Sequence, residues 1–523
     1  MAALSRPRFA LVVASLLLCA GLQAQTPDDL YNSGLAFADQ QRWDEAYTAF
    51  LTGARNMPTD PRFPLELGGV AFKQKRHAEA AKWLRRALHL NPADPYAPDF
   101  LATVYFLEGN MDAALKYWNY VGKPTLSQVD LPKGLRTDPV LLDSALRFAP
   151  GSTLRGINVS ATRARLDLLG TFPSHRLRIE VLEDERYGIA LDAAERNGFG
   201  SGKLNALVSM FRGIGYQTVR PEYYNIGRRA ANVETLARWD RNKRRVSAAF
   251  SAPLHRNTKY RYRLGFDARD ENWDVSRSSP ASFNLRTAAL AATIAAAGNG
   301  VWSWSMGGEL SHRNATNLMN TSGIPARNGV QLKQTAQLTR TLWTIPERRF
   351  TSTARVDSDV AKLWNSSSHI YSRLQGTLDA RWFPRMSGDD YAQHFQLRTG
   401  RIFGEAPFDQ LFILGMERDN DLWLRGHVGT SNGRKGSAPI GNAYFAANWE
   451  TDKKVYSNGI VSLYLSPFFD LGTMKSTIGL GSQKWLFDTG IQAKIRILGV
   501  GVTFIYGKDL RTGNNIFYTS DSR

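Results

Sequence analysis

The C-terminal part of the chain, residues 197–523, alternates between apolar and polar positions in segments of strand length. Gly, Asn, Asp and Ser turns separate the segments, and hardly any helical period is present. Successive side chains of a strand point to opposite faces, so such a segment has one apolar and one polar face. In Tyr260–Phe266 and Ile491–Ile497 the polar face is strongly basic. At about 20 residues per strand and connection, this length predicts roughly 16 antiparallel strands. The alternation is clearest in Tyr260–Phe266 and Ile491–Tyr506.

The N-terminal part of the chain is an internal repeat with a fixed period. Small residues, large apolar residues and prolines all recur at the same spacing: Gly34 and Gly68, Ala46, Ala80 and Ala114, Phe50, Leu84 and Trp118, and Pro58 and Pro92. This resembles the tetratricopeptide repeat, in which small residues let paired helices approach and large ones fill the space between them. The pattern predicts three helical repeats within residues 25–122. They are either a helical spacer or a groove for a periplasmic protein partner.

Residues 123–196 predict a small α/β module. An extended stretch, Thr125–Leu131, precedes a helix capped at Asp138-Pro139. A second helix and two alternating segments, Leu177–Val181 and Tyr187–Leu191, follow. This β-α-α-β-β order, with Leu168-Leu169-Gly170-Thr171-Phe172 before the second strand, resembles a POTRA domain. The resemblance implies a module that holds client chains by adding a strand to its sheet edge.

Composition narrows the class of protein. The formal net charge is +19 and the mean hydropathy is −0.33. Apart from the N-terminus, the longest predominantly apolar run is Ala288–Ala297, which Thr293 interrupts, whereas a spanning helix needs about 20 residues. A polytopic helical membrane protein is therefore excluded, and a large basic soluble protein and a transmembrane β-barrel stay open. Strongly basic polar faces fit the wet lumen of a barrel better than the exterior of a sandwich.

The start of the chain, residues 1–24, predicts an export signal. Arg6 and Arg8 precede an apolar run, and Ala24 is a small residue suited to cleavage. Acylation of Cys19 is the alternative, which the bulky Leu18 disfavours. After cleavage the chain contains no cysteine, so we expect no disulfide, thiol chemistry or cysteine metal site.

Four segments of the predicted barrel follow a recognisable order: Leu411–Gly415, Leu424-Arg425-Gly426-His427, Asn448–Glu450 and Phe468–Gly472. This order resembles the Omp-eighty-five superfamily, the outer-membrane assembly and secretion barrels of the BamA, TamA and FhaC kind. The resemblance implies a loop folded into the lumen, with Arg425 and Gly426 at its tip and Asp470 facing them on a later strand. Leu424 and His427 depart from the family pattern.

A physical reason supports the contact between Arg425 and Asp470. A guanidinium offers a planar fork of donors that a carboxylate accepts in a bidentate way, and a lumen partly shields the pair from water. The pair would hold the loop against the wall. It serves either as a gate, because an inward loop blocks the pore, or as a structural brace.

The early barrel is densely basic. The region includes Arg228, Arg229, Arg241, Lys243, Arg244, Arg245, Arg261 and Arg263. These residues either attract anionic lipid headgroups or an acidic client, or they pair with carboxylates elsewhere in the lumen. Export and a barrel argue against a nucleic-acid partner.

The sequence contains no pattern that indicates catalysis. No phosphate loop, nucleophile elbow or paired-carboxylate site is present, so we expect neither an enzyme nor a cofactor. We assign His427 a packing or hydrogen-bonding role and expect no metal site, because no second histidine nearby has metal-ligand spacing.

Together these features predict three helical repeats, a POTRA-like module over 123–196 and a roughly 16-stranded outer-membrane barrel over 197–523. By resemblance, the protein inserts or translocates polypeptides and contacts membrane lipid and unfolded or secreted clients, with its N-terminal domains in the periplasm. A polysaccharide exporter with a helical scaffold and a passive, porin-like barrel are the alternatives.

Overall fold

The computed structural model describes residues 26–183, 186–200, 202–211, 213–275, 280–365, 368–417, 420, 422–431, 434–459, 461–482, 484–497 and 500–522. The predicted export signal lies outside the described residues. One compact unit contains most of the repeats; it consists of the described residues up to Gly109 together with Lys116–Val121. The remainder of the chain forms a second unit.

Six helices form the repeats. They are α1 (Pro27–Asp39), α2 (Trp43–Asn56), α3 (Arg62–Lys73), α4 (His77–Leu90), α5 (Tyr96–Leu107) and α6 (Met111–Trp118). Helices α2, α4 and α6 begin one sequence period apart, as the recurring residues predict. Thr26 begins α1 with a capping box, in which its hydroxyl accepts from the Asp29 amide and the Asp29 carboxylate accepts in return.

Small residues bring the paired helices together. A Cβ on Gly34 would lie 2.4 Å from the Phe50 ring, and one on Gly68 would lie 2.7 Å from Leu84. Each glycine thus receives the large side chain of the next helix. The recurring alanines, Ala46, Ala80 and Ala114, are fully buried. The period of the sequence therefore corresponds to one packing unit used repeatedly.

The α/β module has the predicted β-α-α-β-β order. Its elements are β1 (Leu126–Asp130), α7 (Pro139–Ala145), α8 (Gly156–Leu169), β2 (Ser174–Val181) and β3 (Tyr187–Ala194). The sheet order is β1-β3-β2, with β1 parallel and β2 antiparallel to β3. Strands β1 and β2 are therefore its two edges.

A helix and a large sheet follow the module. The helix is α9 (Lys203–Phe211). The sheet has 16 strands: β4 (Thr218–Val219), β5 (Glu222–Ile226), β6 (Ala231–Trp239), β7 (Lys243–Leu254), β8 (Asn257–Val275), β9 (Ala281–Ala297), β10 (Trp302–Met319), β11 (Gly329–Ile345), β12 (Phe350–Trp364), β13 (Ser368–Trp382), β14 (Tyr391–Gly404), β19 (Ala443–Ser457), β20 (Val461–Lys475), β21 (Leu486–Ile497), β22 (Val500–Asp509) and β23 (Asn515–Ser522). All its ladders are antiparallel, which confirms the predicted fold class.

The two faces of this sheet differ as the alternation predicts. Phe266, Leu290, Leu310 and Leu332 lie directly opposite one another across β8, β9, β10 and β11, and all are 42–61% exposed. The residues next to them in the chain turn to the other face. Glu309 of β10, for example, pairs with Lys333 of β11 at 3.0 Å.

The connection between β14 and β19, residues 405–442, is the lumen segment. It contains two short hairpins, β15 (Phe412–Ile413) with β18 (Ile440–Gly441) and β16 (Thr430–Ser431) with β17 (Arg434–Lys435). Its side chains contact β8, β9 and β10 near one end of the sheet and β20, β21 and β22 near the other. One segment can contact strands near both ends of the sheet only because the sheet curves around it as a barrel wall.

The α/β module packs against the first strands of the barrel. The Leu169 carbonyl at the end of α8 accepts hydrogen bonds from Arg261 (2.7 Å) and Asn232 (3.3 Å). A guanidinium at this position also faces the negative end of the helix dipole. The Asp138 amide, at the start of α7, donates to the Arg228 carbonyl at 2.7 Å. No helix in the described part of the chain is long and apolar enough to cross a membrane.

Glu195 joins the module to the barrel. Its carboxylate accepts from the Arg136 and Thr137 amides at 2.7 Å, from Asn197 at 2.8 Å and from Asn225 at 3.1 Å. Burial raises the pKa of Glu195, but these hydrogen bonds outweigh it and hold the pKa below its ordinary value. Their contribution to stability is therefore complete above the pKa of an unfolded Glu and is lost as the pH falls through the lower folded-state pKa.

We expect Glu195→Gln to speed amide hydrogen exchange at Arg136 and Thr137 by about tenfold or more at neutral pH. The reason is the loss of charge-assisted hydrogen bonds worth about 1.5–3 kcal/mol each. Glu183→Gln is the control, because that exposed side chain lies in the turn between β2 and β3. Equal exchange in both variants would show that Glu195 does not hold this junction.

Candidate functional site

Arg425 lies at the tip of the lumen segment and is bonded to the barrel wall. Its Nε and Nη2 donate to the two carboxylate oxygens of Asp470 on β20, at 2.8 and 2.6 Å, and its backbone amide donates to the same carboxylate at 3.0 Å. The guanidinium carbon lies 3.9 Å from the centre of the Phe468 ring. Only 1% of Arg425 and none of Asp470 is exposed. The fork that the sequence predicts is therefore buried and bidentate.

A network of charges surrounds the fork. The Nη1 of Arg425 donates to Glu450 on β19 at 2.6 Å. Lys494 on β21 then bridges Glu450 and Asp452 at 2.8 and 2.7 Å. A buried charge left without its partner costs roughly 3–5 kcal/mol. If the lumen segment left this position, several buried charges would lose their partners together.

Two glycines make room for this contact. A Cβ on Gly507 of β22 would lie 2.0 Å from the Arg425 carbonyl oxygen. A Cβ on Gly490 of β21 would lie 2.7 Å from the Phe468 ring, the same ring that stacks under the guanidinium. The close approach of the segment to the wall therefore requires a residue without a side chain at Gly507, while Gly490 leaves room for the Phe468 ring that covers the guanidinium.

A second buried ion cluster holds the other side of the segment. Lys435 and Lys243 each bond the Glu271 carboxylate at 2.8 Å, and Lys435 lies 4.6 Å from the centre of the Trp273 ring. All three charged side chains are buried. Lys435 belongs to the lumen segment, whereas the other three residues belong to β7 and β8, so this cluster is a second attachment to the wall.

Arg313 and Phe408 complete the attachment. Arg313 on β10 pairs with Asp409 of the segment at 3.2 Å. The Phe408 ring packs edge-on against Trp273 and Phe283, at centroid distances of 4.9 and 5.1 Å. Beside the segment, the lumen retains a cavity of about 690 Å³ lined by basic and acidic side chains.

Most residues of the basic region bond to other groups within the protein. Lys243 bonds Glu271, Arg245 bonds Asp267, and Arg263 bonds Glu234. Arg261 and Arg228 donate to carbonyl groups of the α/β module, those of Leu169 and Arg136. These pairings favour the alternative in which the basic residues offset lumen carboxylates. Arg229, Arg241 and Arg244 are exposed, and their contact with lipid or client stays a prediction.

His427 lies beside Arg425 and faces two further carboxylates. Its Nδ1 is 3.1 Å from Asp488 on β21, and its Nε2 is 3.6 Å from Asp509 on β22. The Gly426 amide donates to the same Asp488 carboxylate. The tip of the segment therefore contacts four neighbouring strands of the wall, β19 to β22.

The sequence did not identify Asp488, Asp509 or the Lys435–Glu271 pair. The sequence did contain one signal. Asp488 and Asp509 lie within segments of mostly apolar and small residues, where acidic side chains are unusual. Their partners lie far away in the chain, however, and alternation alone does not say which strands meet.

Comparisons with known proteins give one matching family model and a set of similar solved structures. A profile described as the tetratricopeptide repeat matches residues 31–98. Residues 31–98 are tetratricopeptide repeats. Among curated proteins, none matches this chain.

Many solved structures are similar to it, among them the following three. BamA from Haemophilus ducreyi lacking POTRA domains 1–3 is 14% identical, with 75% of this chain and 83% of that one covered and a TM-score of 0.45. CdiB from Escherichia coli is 12% identical, with 76% and 74% covered and a TM-score of 0.47. CdiB from Acinetobacter baumannii is 10% identical, with 76% and 72% covered and a TM-score of 0.44.

We expect Gly507→Ala to detach the tip of the lumen segment while the barrel stays folded. The new methyl group would collide with the Arg425 carbonyl, and overpacking of this kind costs about 1–3 kcal/mol. Limited trypsin digestion in detergent should cleave after Arg425 or Lys435 roughly fivefold to a hundredfold faster than in the wild type.

Gly376→Ala on β13 is the matched control, because a Cβ there meets its nearest atom, on Thr399, at 3.8 Å. Identical digestion of the two variants would contradict a tight contact between Gly507 and the segment.

Proposed function

We propose that this chain is an outer-membrane β-barrel of the Omp-eighty-five kind, which inserts polypeptides into the outer membrane or moves them across it. In this proposal the repeats and the α/β module lie in the periplasm and receive clients, and the barrel transfers them. The observation that carries the proposal is the lumen segment, which lies inside the barrel and is attached through the buried fork between Arg425 and Asp470.

The exposed apolar surface supports a membrane location. The row of Phe266, Leu290, Leu310 and Leu332 continues across four strands. Soluble monomers rarely expose a contiguous apolar surface of this kind, whereas a barrel presents one to lipid. Exposed tryptophans at the strand ends fit an interfacial aromatic belt: Trp302, Trp343 and Trp382.

The nature of the lumen attachment favours a channel that opens. Ion pairs and hydrogen bonds hold the tip of the segment at Arg425, Gly426 and His427. Such contacts can be exchanged for contacts with water or with a passing chain. A passive pore has no need for a plug attached in this way.

Client binding is assigned to the periplasmic elements. Strand β1 is an edge of the described sheet. Gly151 and Ser152 already bond Leu126 at the start of its other edge, so an extended chain could pair only with the part of β1 that follows. Ser127, Gln128 and Asp130 on β1 are exposed. Backbone pairing at such an edge does not depend on the client's side chains, which suits a protein that handles unfolded polypeptides.

We expect Arg425→Ala to raise the conductance of the barrel in planar lipid bilayers by about twofold or more. The substitution leaves Asp470 and Glu450 without their guanidinium, a loss of roughly 3–5 kcal/mol that frees the tip of the segment. Arg286→Ala is the control, because this arginine is exposed and pairs with Asp270 outside the lumen segment.

Heat-dependent migration on gels confirms that each of these variants is folded. Unchanged conductance in a folded Arg425→Ala barrel would contradict the gating role and leave Arg425 as a structural brace.

The proposed function is tested by photocrosslinking in living cells. A photoreactive aromatic residue replaces Tyr96 in the repeats or Tyr223 on an early barrel strand, both of which are exposed. We expect both positions to capture nascent outer-membrane or secreted polypeptides. The same residue at Trp343, on the lipid-facing surface, is the control and should capture none.

Capture of glycan without any polypeptide would overturn the proposal in favour of polysaccharide export. Capture of neither by correctly inserted protein would favour a passive barrel.

A further inference from the structure

Three aspartates form a row on the inner face of the barrel. Asp470 on β20 lies directly opposite Asp488 on β21, which lies directly opposite Asp509 on β22. All three are buried. Like charges directly opposite one another on neighbouring strands destabilise a sheet, and a carboxylate buried without a counter-charge costs still more. The row therefore requires positive charge close to it.

The lysine and arginine side chains of the site supply too little positive charge for the row of aspartates. Arg425 serves Asp470 and Glu450, and Lys494 serves Glu450 and Asp452. These two cations already face three carboxylates before Asp488 and Asp509 are added. In the part of the chain that the structure describes, no Lys or Arg side chain forms an ion pair with either of those two.

The contacts of Asp488 and Asp509 are with other groups. The Oδ2 of Asp488 accepts from the Gly426 amide and faces His427, whereas its buried Oδ1 accepts no hydrogen bond among the described residues. Asp509 accepts from the Thr512 hydroxyl at 2.6 Å and the Arg511 amide at 2.8 Å, both in the turn that follows it. These donors are uncharged backbone or hydroxyl groups.

The imidazole of His427 lies between the two carboxylates. Its Nδ1 is within hydrogen-bond distance of Asp488, at 3.1 Å, whereas its Nε2 is 3.6 Å from the Oδ2 of Asp509, beyond a hydrogen bond. Two ligands of one tetrahedral zinc ion lie about 3.4 Å apart, given metal–ligand bonds of roughly 2.0–2.2 Å. The distance between His427 Nε2 and Asp509 Oδ2 is thus close to that between two ligands of one zinc ion.

We propose that His427, Asp488 and Asp509 form a site for one divalent transition-metal ion at the tip of the lumen segment. Donor atoms of the three residues lie within 4.8 Å of one another. His427 Nε2 and Asp509 bind the ion directly. Asp488 is the positioning residue, because a carboxylate that accepts the Nδ1 proton turns the other ring nitrogen toward a metal. Water completes the coordination.

The donor set selects the kind of metal. One imidazole with carboxylate oxygens suits zinc, whereas calcium and magnesium prefer all-oxygen sites with six or more ligands. A bound ion would supply the positive charge that the aspartate row lacks. It would also join the segment to β22, beside the attachment of Arg425 to β20. This assignment differs from the packing role that the sequence suggested for His427.

The test measures zinc binding to the full-length protein. The protein is purified in detergent without a polyhistidine tag, stripped with EDTA and titrated with zinc chloride by calorimetry. We expect one zinc ion per chain, with no comparable binding of calcium. His427→Ala and the nearly isosteric Asp509→Asn should each weaken binding by about a hundredfold, and Asp488→Asn by roughly 10- to 100-fold.

His175→Ala is the matched control, since His175 also pairs with an aspartate, Asp167, at 2.7 Å, but in the α/β module. Absence of stoichiometric zinc binding by the folded wild-type protein would overturn the proposal. So would binding that survives unchanged in folded Asp509→Asn, or binding that is lost in His175→Ala. Neither result bears on the polypeptide clients, which are tested separately by crosslinking.

Discussion

The burial of one guanidinium determines most of the order inside this barrel. Arg425 carries a full charge into a site that is almost closed to water, and only a carboxylate with matching geometry offsets the cost of that burial. Asp470 supplies it with two oxygens and Glu450 with a third contact. The rest of the site follows from this requirement. Phe468 covers the flat side of the guanidinium, and Gly507 leaves space for the backbone that carries it.

The same chemistry explains why the lumen segment is attached at several separate points. The interior of the barrel is rich in charges, and a charged side chain that the segment buries there needs an opposite charge on the wall. Lys435 meets Glu271 and Asp409 meets Arg313, on strands far from Asp470. The desolvation of such a buried ion pair can match or exceed the attraction it gains, so the pair adds little net stability. Such pairs hold the segment in one arrangement through contacts that other polar groups could replace, as the proposed opening for a client requires.

The outer surface of the barrel carries apolar side chains, in contrast to the charged lumen. Side chains such as Leu310 and Leu332 are exposed because the surrounding medium is proposed to be lipid, and no second layer of protein covers them. A strand whose two faces meet lipid and water has to alternate along its whole length. The mean hydropathy of such a chain stays low. For this reason, composition alone left a soluble protein open, while the order of residues along each strand did not.

Periodicity in the sequence was enough to determine the kinds of elements. The fixed spacing of the repeats specified their paired helices, since Gly34 and Phe50 meet within one repeat, and the alternation of residues specified the strands of the barrel. The motif around Arg425 also indicated a partner of the Asp470 type. Tertiary structure alone decided which carboxylates face His427, and that Lys243 is a buried partner of Glu271 and not a surface charge. Alternation assigns a side chain to a face, but the register of strands distant in the chain decides which side chains meet on it.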